Sequence, residues 1–296
     1  MMRSEIDVLT PRTLDDALAL LERHTTGVQI IAGGSDVIVQ LRDGVLKTKK
    51  LLNIVSVKAL RYIKEIDGQI HIGALSTYSD IINSQHTQKH AQILVNAAKK
   101  IGATQLQNTA TIGGNLGNAS PAGDSLPPLY ALNATVVTRS KSNRREIPIE
   151  KFFIGYRKKA LRPDELVEEV FFEGLGKNDA AAFLKLGLRE ANAISIVAVA
   201  VTLRGRSRES TRYNDVRIAL GAVAPTIVRA RKCEKALISK RLTKRILQEA
   251  ANLVPQDISP ITDIRGSADY RKNVVRSLVY QTLHNAVFDR NGVNRR

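Results

Sequence analysis

Sulfur and aromatic rings are scarce in this chain of 296 residues. It has one cysteine (Cys233), two methionines, no tryptophan and 4% aromatic residues. A single thiol excludes an internal disulfide and any four-thiolate zinc or iron–sulfur site within the chain. Sparse aromatics leave no stacking platform of the kind that grips single-stranded nucleic acid, so a nucleic-acid partner is not expected. Long hydrophobic runs are missing too. The longest largely apolar stretch, 194–203, has ten residues, about half of what a bilayer span needs. Near the start, Glu5 and Asp7 stand where a secretion signal needs an apolar core, so the expected location is the cytoplasm. No G-x-G-x-x-G, phosphate loop, H-E-x-x-H or G-x-S-x-G occurs, which removes the Rossmann, P-loop, zinc-helix and hydrolase-elbow readings.

Basic charge is abundant. Lys and Arg number 45 against 28 Asp and Glu, a net charge of +17. The surplus gathers in stretches 139–145, 157–162, 203–217 and 229–235 and in a tail, 291–296. Without interleaved aromatics these read as solvated faces or a surface for acidic partner chains. The 43% apolar content is ordinary for a globular protein.

Periodicity places a helix over 13–24, with Thr13 and Asp16 as a capping box, and strands at 28–32, 51–54 and 69–73. Helices follow at 77–83 and 91–101. Residues 110–128 are rich in Gly, Asn, Ser and Pro and read as one long ordered loop. Strands are expected at 134–138, 166–172, 182–188, 195–203 and 216–223, then helices at 228–239, 242–253 and 267–288. Glu168 and Glu169, adjacent on a strand, should face opposite sides. Sheets followed by a helical tail indicate α+β architecture. The loop-like composition of 173–179 places a boundary between 1–176 (subdomains 1–57 and 58–176) and 177–290.

Two glycine pairs carry the chemistry: Gly33-Gly34 at the end of an apolar strand, and Gly113-Gly114 inside the polar stretch. Paired glycines let backbone approach a ligand closely. Flanking Ser35, Thr111 and Asn115 add donors beside backbone N–H groups, a combination suited to a diphosphate. Either pair alone reads as a turn; together they read equally as turns or as a clamp that holds one dinucleotide from two sides.

The combination AGGSD (from Ala32), ATIGGN (from Ala110) and NASPAGD (from Asn118) resembles the FAD-binding subunit of the molybdenum-containing hydroxylases, which include xanthine, carbon monoxide and nicotinate dehydrogenases. KLGLRE from Lys185, ALGAVAPTIV from Ala219 and IRGSADY from Ile264 are similar to further segments of that family, and the likeness covers nearly the whole chain. Its fold would be a two-subdomain FAD module like that of the vanillyl-alcohol oxidase flavoproteins, followed by a small C-terminal domain of antiparallel sheet plus helices. The resemblance implies that Ile30, Ile31, Ala32, Gly33, Gly34, Ser35 and Asp36 bind the diphosphate and ribityl parts of FAD together with Thr111, Ile112, Gly113, Gly114 and Asn115. Asp124 would accept hydrogen bonds from the adenosine ribose or the neighbouring chain, and Val167 (or Leu166, one register position away) would pack against the cofactor. Lys185 would lie near the polar edge of the flavin, and Ile101 would be an apolar contact or plain core. It also implies a molybdopterin large subunit and an iron–sulfur small subunit carrying two [2Fe–2S] clusters, and NAD or another electron acceptor. Purine or xanthine oxidation is the first reading, with carbon monoxide, nicotinate and aromatic thioesters open. A stand-alone FAD-dependent oxidase and a basic nucleic-acid-binding protein are the alternative readings.

Overall fold

A computed structural model describes residues 6–205 and 211–289. The middle of the basic stretch 203–217 and the tail 291–296 lie outside the described residues.

The chain opens on a small parallel sheet built from β1 (Asp7–Leu9), α1 (Leu14–Arg23), β2 (Val28–Ile31), α2 (Val37–Arg42) and β3 (Lys50–Asn53), with strand order β1-β3-β2. Helix α1 starts where Thr13 Oγ1 accepts the Asp16 N–H at 3.1 Å. Its apolar stripe of Ala17, Leu18 and Leu21 is buried with Leu52, Leu60 and Leu166 in the first core.

The second layer begins with the hairpin of β4 (Ile63–Ile66) and β5 (Gln69–Gly73) and runs through α3 (Tyr78–Asn83), α4 (Gln85–His90), α5 (Gln92–Ala98), α6 (Thr104–Thr109), α7 (Ile112–Asn118) and α8 (Leu126–Ala131). The expected loop at 110–128 therefore holds helix α7 and the start of α8. Glycine and asparagine are poor helix formers, but tertiary contacts override them. Thr111 Oγ1 caps the Gly114 N–H at 3.0 Å, and the Gly113 N–H donates to Ala74 O at 2.9 Å. Pro127 and Pro128 fall in the first turn of α8, where a missing N–H leaves nothing unsatisfied.

Next come β6 (Thr135–Arg139), β7 (Arg144–Pro148), α9 (Ile149–Phe152), the small hairpin of β8 (Phe153–Gly155) and β9 (Lys158–Lys159), and β10 (Leu166–Glu173). Strand β10 takes the centre of an antiparallel sheet ordered β4-β5-β10-β6-β7. Its register shifts between Val167 and Glu169. This bulge corrects the expectation that Glu168 and Glu169 point apart: Arg144 Nε lies 3.4 Å from Glu168 Oε2, and its Nη2 lies 3.1 Å from Glu169 Oε1.

The C-terminal part is an antiparallel sheet, β11 (Ala180–Leu186), β12 (Val197–Arg204), β13 (Asp215–Gly221) and β14 (Val228–Arg229), with α10 (Arg231–Leu237), α11 (Lys244–Ala251) and α12 (Ala268–Phe288). Residues 228 and 229, expected as the start of a helix, instead pair with β13. Strand β12 is buried on both faces. Ala198 and Ala200 face the middle core with Leu129 of α8, while Val197, Val199 and Val201 pack with Val275 and Val279 of α12. Period-two alternation of small and branched residues thus joins the two parts without a gap. The result is the expected α+β class.

Candidate functional site

One cavity of about 1150 Å³ opens where these parts meet. It exceeds the roughly 300–1,000 Å³ of sites for drug-sized ligands, as an extended dinucleotide requires. Its walls are the loop after β2, the start of α7, the turn before α8, the β8–β9 hairpin, the start of β10, and loops of the C-terminal part around Ser195, Ala222 and Asp263.

The two glycine segments meet in this cavity. A Cβ on Gly33 would lie 1.7 Å from Thr109 O, two residues before Thr111, so only glycine fits. Gly34 adopts φ +75°, in the left-handed region. Across the contact, Gln40 Nε2 of α2 donates to Asn118 Oδ1 of α7 at 3.2 Å. The segments then differ in one respect the sequence concealed. Among the described residues the N–H groups of Gly33, Gly34, Ser35 and Asp36 have no acceptor, whereas Gly113, Gly114 and Asn115 spend theirs on Ala74 O, Thr111 Oγ1 and Thr111 O. The first segment supplies free donors; the second supplies a close wall, since a Cβ on Gly113 would meet Ala74 Cβ at 2.6 Å. Burial raises the Asp36 carboxyl, opposed by the charge of Arg157 and a bond from Asn118.

Farther along the cavity, Asp124 Oδ2 accepts from Lys185 Nζ at 2.5 Å and Asp124 Oδ1 from Ser195 Oγ at 2.5 Å. Burial pushes the Asp124 carboxyl up, and Lys185 and Ser195 pull against it. Lys185 Nζ also donates to Lys100 O at 3.1 Å. Behind this pair, the Tyr78 hydroxyl lies 3.1 Å from Ser125 Oγ, which donates to Asn115 Oδ1 at 2.9 Å. This chain fixes the Asn115 amide, and burial raises the Tyr78 phenol.

Of the sequence-predicted residues, Ile30, Ala32, Gly33, Gly34, Ser35, Asp36 and Ile101 line the cavity, as do Thr111, Gly113, Gly114, Asn115, Asp124 and Val167. Three do not. Ile31 lies beneath Gly34, Ile112 is fully buried in the middle core, and Lys185 reaches the site only through Asp124. Sequence reading missed Tyr156, Arg157 and Lys159 on the β8–β9 hairpin and Asp263, Arg265 and Arg271 in the C-terminal part. The basic run 157–162 was visible only as charge; nothing local said that it overhangs a cavity. Arg271 is buried, donating to Ile196 O and Ala222 O, both at 2.8 Å, and to Asp263 Oδ1 at 2.7 Å.

The free amides after β2 and the glycine walls fit a diphosphate-bearing cofactor, and the apolar surfaces of Ile101, Leu106 and Val167 suit flat rings. Among the described residues no group of three or more His, Cys, Asp or Glu could hold a metal, and no helix is long and apolar enough to cross a membrane.

Residues 4–172 match the FAD binding domain in molybdopterin dehydrogenase, and residues 182–286 match the CO dehydrogenase flavoprotein C-terminal domain. The chain is 30% identical to the nicotinate dehydrogenase FAD-subunit of Eubacterium barkeri, over 96% of its length and 97% of that protein's. It is 32% identical to the glyceraldehyde dehydrogenase medium chain of Sulfolobus acidocaldarius (96% and 99% covered) and 30% identical to a putative xanthine dehydrogenase FAD-binding subunit of Escherichia coli (93% and 94%). Its fold superimposes on carbon monoxide dehydrogenase from Hydrogenophaga pseudoflava with a TM-score of 0.92 at 29% identity, covering 98% of this chain and 99% of that one. A glycine-walled cavity with unspent amides, set in a chain matched to this family from end to end, has one conclusion: the protein belongs to the FAD-binding subunits of the molybdopterin dehydrogenases.

Proposed function

We propose that this chain is the FAD-carrying electron-transfer subunit of a multi-subunit molybdenum hydroxylase, receiving electrons from iron–sulfur clusters on a partner chain and delivering them to NAD⁺. The observation that carries this reading is the row of unpaired amides at Gly33–Asp36, facing a cavity large enough for a dinucleotide. Those amides hold the diphosphate. Thr111 and Asn115 form a neighbouring wall, Asp124 accepts from a ribose hydroxyl, and Lys185 and Ser195 hold Asp124 in place. Ile101 and Val167 pack on ring faces and keep water out. When bound, FAD supplies a carrier that takes electrons singly and releases them as a pair.

A single buried thiol cannot ligate a cluster that needs four, so these 296 residues hold neither cluster, and in this reading the partner chain carries them. The proposed molybdopterin subunit oxidises the substrate, and a purine such as xanthine is the reading taken from the Escherichia coli relative. Nicotinate and glyceraldehyde relatives stand at similar identity, so the assay of the complex should compare all three. The purified chain should be yellow, with flavin absorbance that survives gel filtration, and anaerobic NADH should bleach it. A colourless chain that takes up no FAD sinks the reading; a yellow chain that NADH leaves unchanged removes only the acceptor.

A further inference from the structure

We infer that Lys159 is a cofactor-binding residue whose ammonium takes the diphosphate of the dinucleotide from the side opposite the Gly33–Asp36 amides. This rests on the proposed FAD function. The charged groups around the cavity carry the argument. Asp36 feels Arg157, Asp124 pairs with Lys185, Glu165 pairs with Arg145 and lies near Arg162, and Asp263 pairs with Arg265 and Arg271. Each lining carboxylate therefore has its cation, and each lining arginine has its carboxylate. Arg157 and Arg162 act on their carboxylates through charge alone, without an ion pair, and Lys159 is left over even by that measure. Among the described residues its ammonium makes no hydrogen bond or ion pair and no carboxylate acts on it, although it is only partly exposed and lines the cavity.

Its position supports the assignment. Lys159 ends the β8–β9 hairpin, whose tip residue Arg157 acts electrostatically on Asp36, so the hairpin stands over the same end of the cavity as the free amides. Burial lowers its pKa, which signals a cation held away from water with nothing to compensate it. A desolvated ammonium lining the same cavity as unspent N–H donors makes with them a complementary set for a doubly negative group. The diphosphate of FAD is that group.

The test uses the full chain, stripped of flavin, as wild type, Lys159→Met and Lys159→Arg. Binding of FAD, ADP and riboflavin is followed by fluorescence and calorimetry across a salt series, with thermal melts of each apoprotein. Lys159→Met should weaken FAD and ADP binding about ten- to a hundred-fold, the range of a lost charge-assisted hydrogen bond. Riboflavin, which lacks the diphosphate, should bind as to wild type. Lys159→Arg should keep most of the affinity, and the methionine variant should show a shallower salt dependence. Its apoprotein should melt at or above the wild-type temperature, because removing an unpaired desolvated charge relieves the apo fold. FAD and ADP affinities within two-fold of wild type, or an apo Lys159→Met that melts lower, would overturn the inference while leaving the flavin reading intact. A wild-type chain that binds neither FAD nor ADP would overturn both.

Discussion

Gly33 abuts the backbone of Thr109 so closely that a β-carbon on it would sit 1.7 Å from the Thr109 carbonyl oxygen. This contact joins two segments more than seventy positions apart and makes one binding wall of them. Gly33→Ala has to push the loop off helix α6. We expect a stability loss of about 1–3 kcal/mol, as for overpacking a core, and lost FAD binding. The contrasting variant is Gly117→Ala: a Cβ there meets nothing within 4 Å, and the site is inside α7. The alanine should stabilise the apoprotein by about 0.5–1 kcal/mol through helix propensity. Urea unfolding of both apoproteins reads the opposite signs.

The Asp124–Lys185 pair is almost fully enclosed, with side chains 9% and 7% exposed. Lys185→Met strands a buried carboxylate and should cost about 3–5 kcal/mol. Removing both charges together, as Asp124→Leu with Lys185→Met, should recover most of that loss. A double-mutant cycle in urea checks the coupling; additive losses would show that the pair is solvated.

Asp263 gives the acid limb a marker. Burial alone would raise its carboxyl, but the bonds from Arg265 and Arg271 outweigh it and hold the pKa down to about 2. The unfolded value is about 3.9. A depressed carboxyl stabilises the fold above the unfolded pKa and loses that contribution as pH falls through the folded one. Wild type should therefore lose stability between about pH 4 and pH 2 more steeply than Asp263→Asn. Parallel slopes in acid titrations followed by circular dichroism would contradict this.

Cys233 lies fully buried beneath β13, and burial pushes its thiol up, with Glu234 and Asp257 adding to the rise. It should be inert to a thiol reagent in the folded protein and react as one equivalent once denatured. Rapid labelling without denaturant would mean that helix α10 opens readily.

Much of the fold was legible locally. The short apolar run at 195–203 named a strand, Thr13 and Thr77 named helix starts, and Tyr78–Asn83 carries the full capping box. The failures share a cause. Helix α7 was hidden because its stop-like composition is rescued by an acceptor on Ala74, from a different part of the chain. The Glu168 bulge was hidden because register is a property of two strands, not one. In the site, glycines and their hydroxyl neighbours were readable, while Tyr156, Lys159 and Arg271 were not. A basic residue in a hairpin looks the same whether it meets solvent or a cavity.

The chain by itself determined its longer strands, several of its helix starts and the glycine pairs at two places, since each of these follows from sterics and hydrogen bonding among near neighbours. Tertiary structure alone decided which of the two glycine segments keeps its amides free, and which cation is left without an anion. Whether a donor or a charge is spent depends on partners brought from distant positions, and only the packed chain sets those distances.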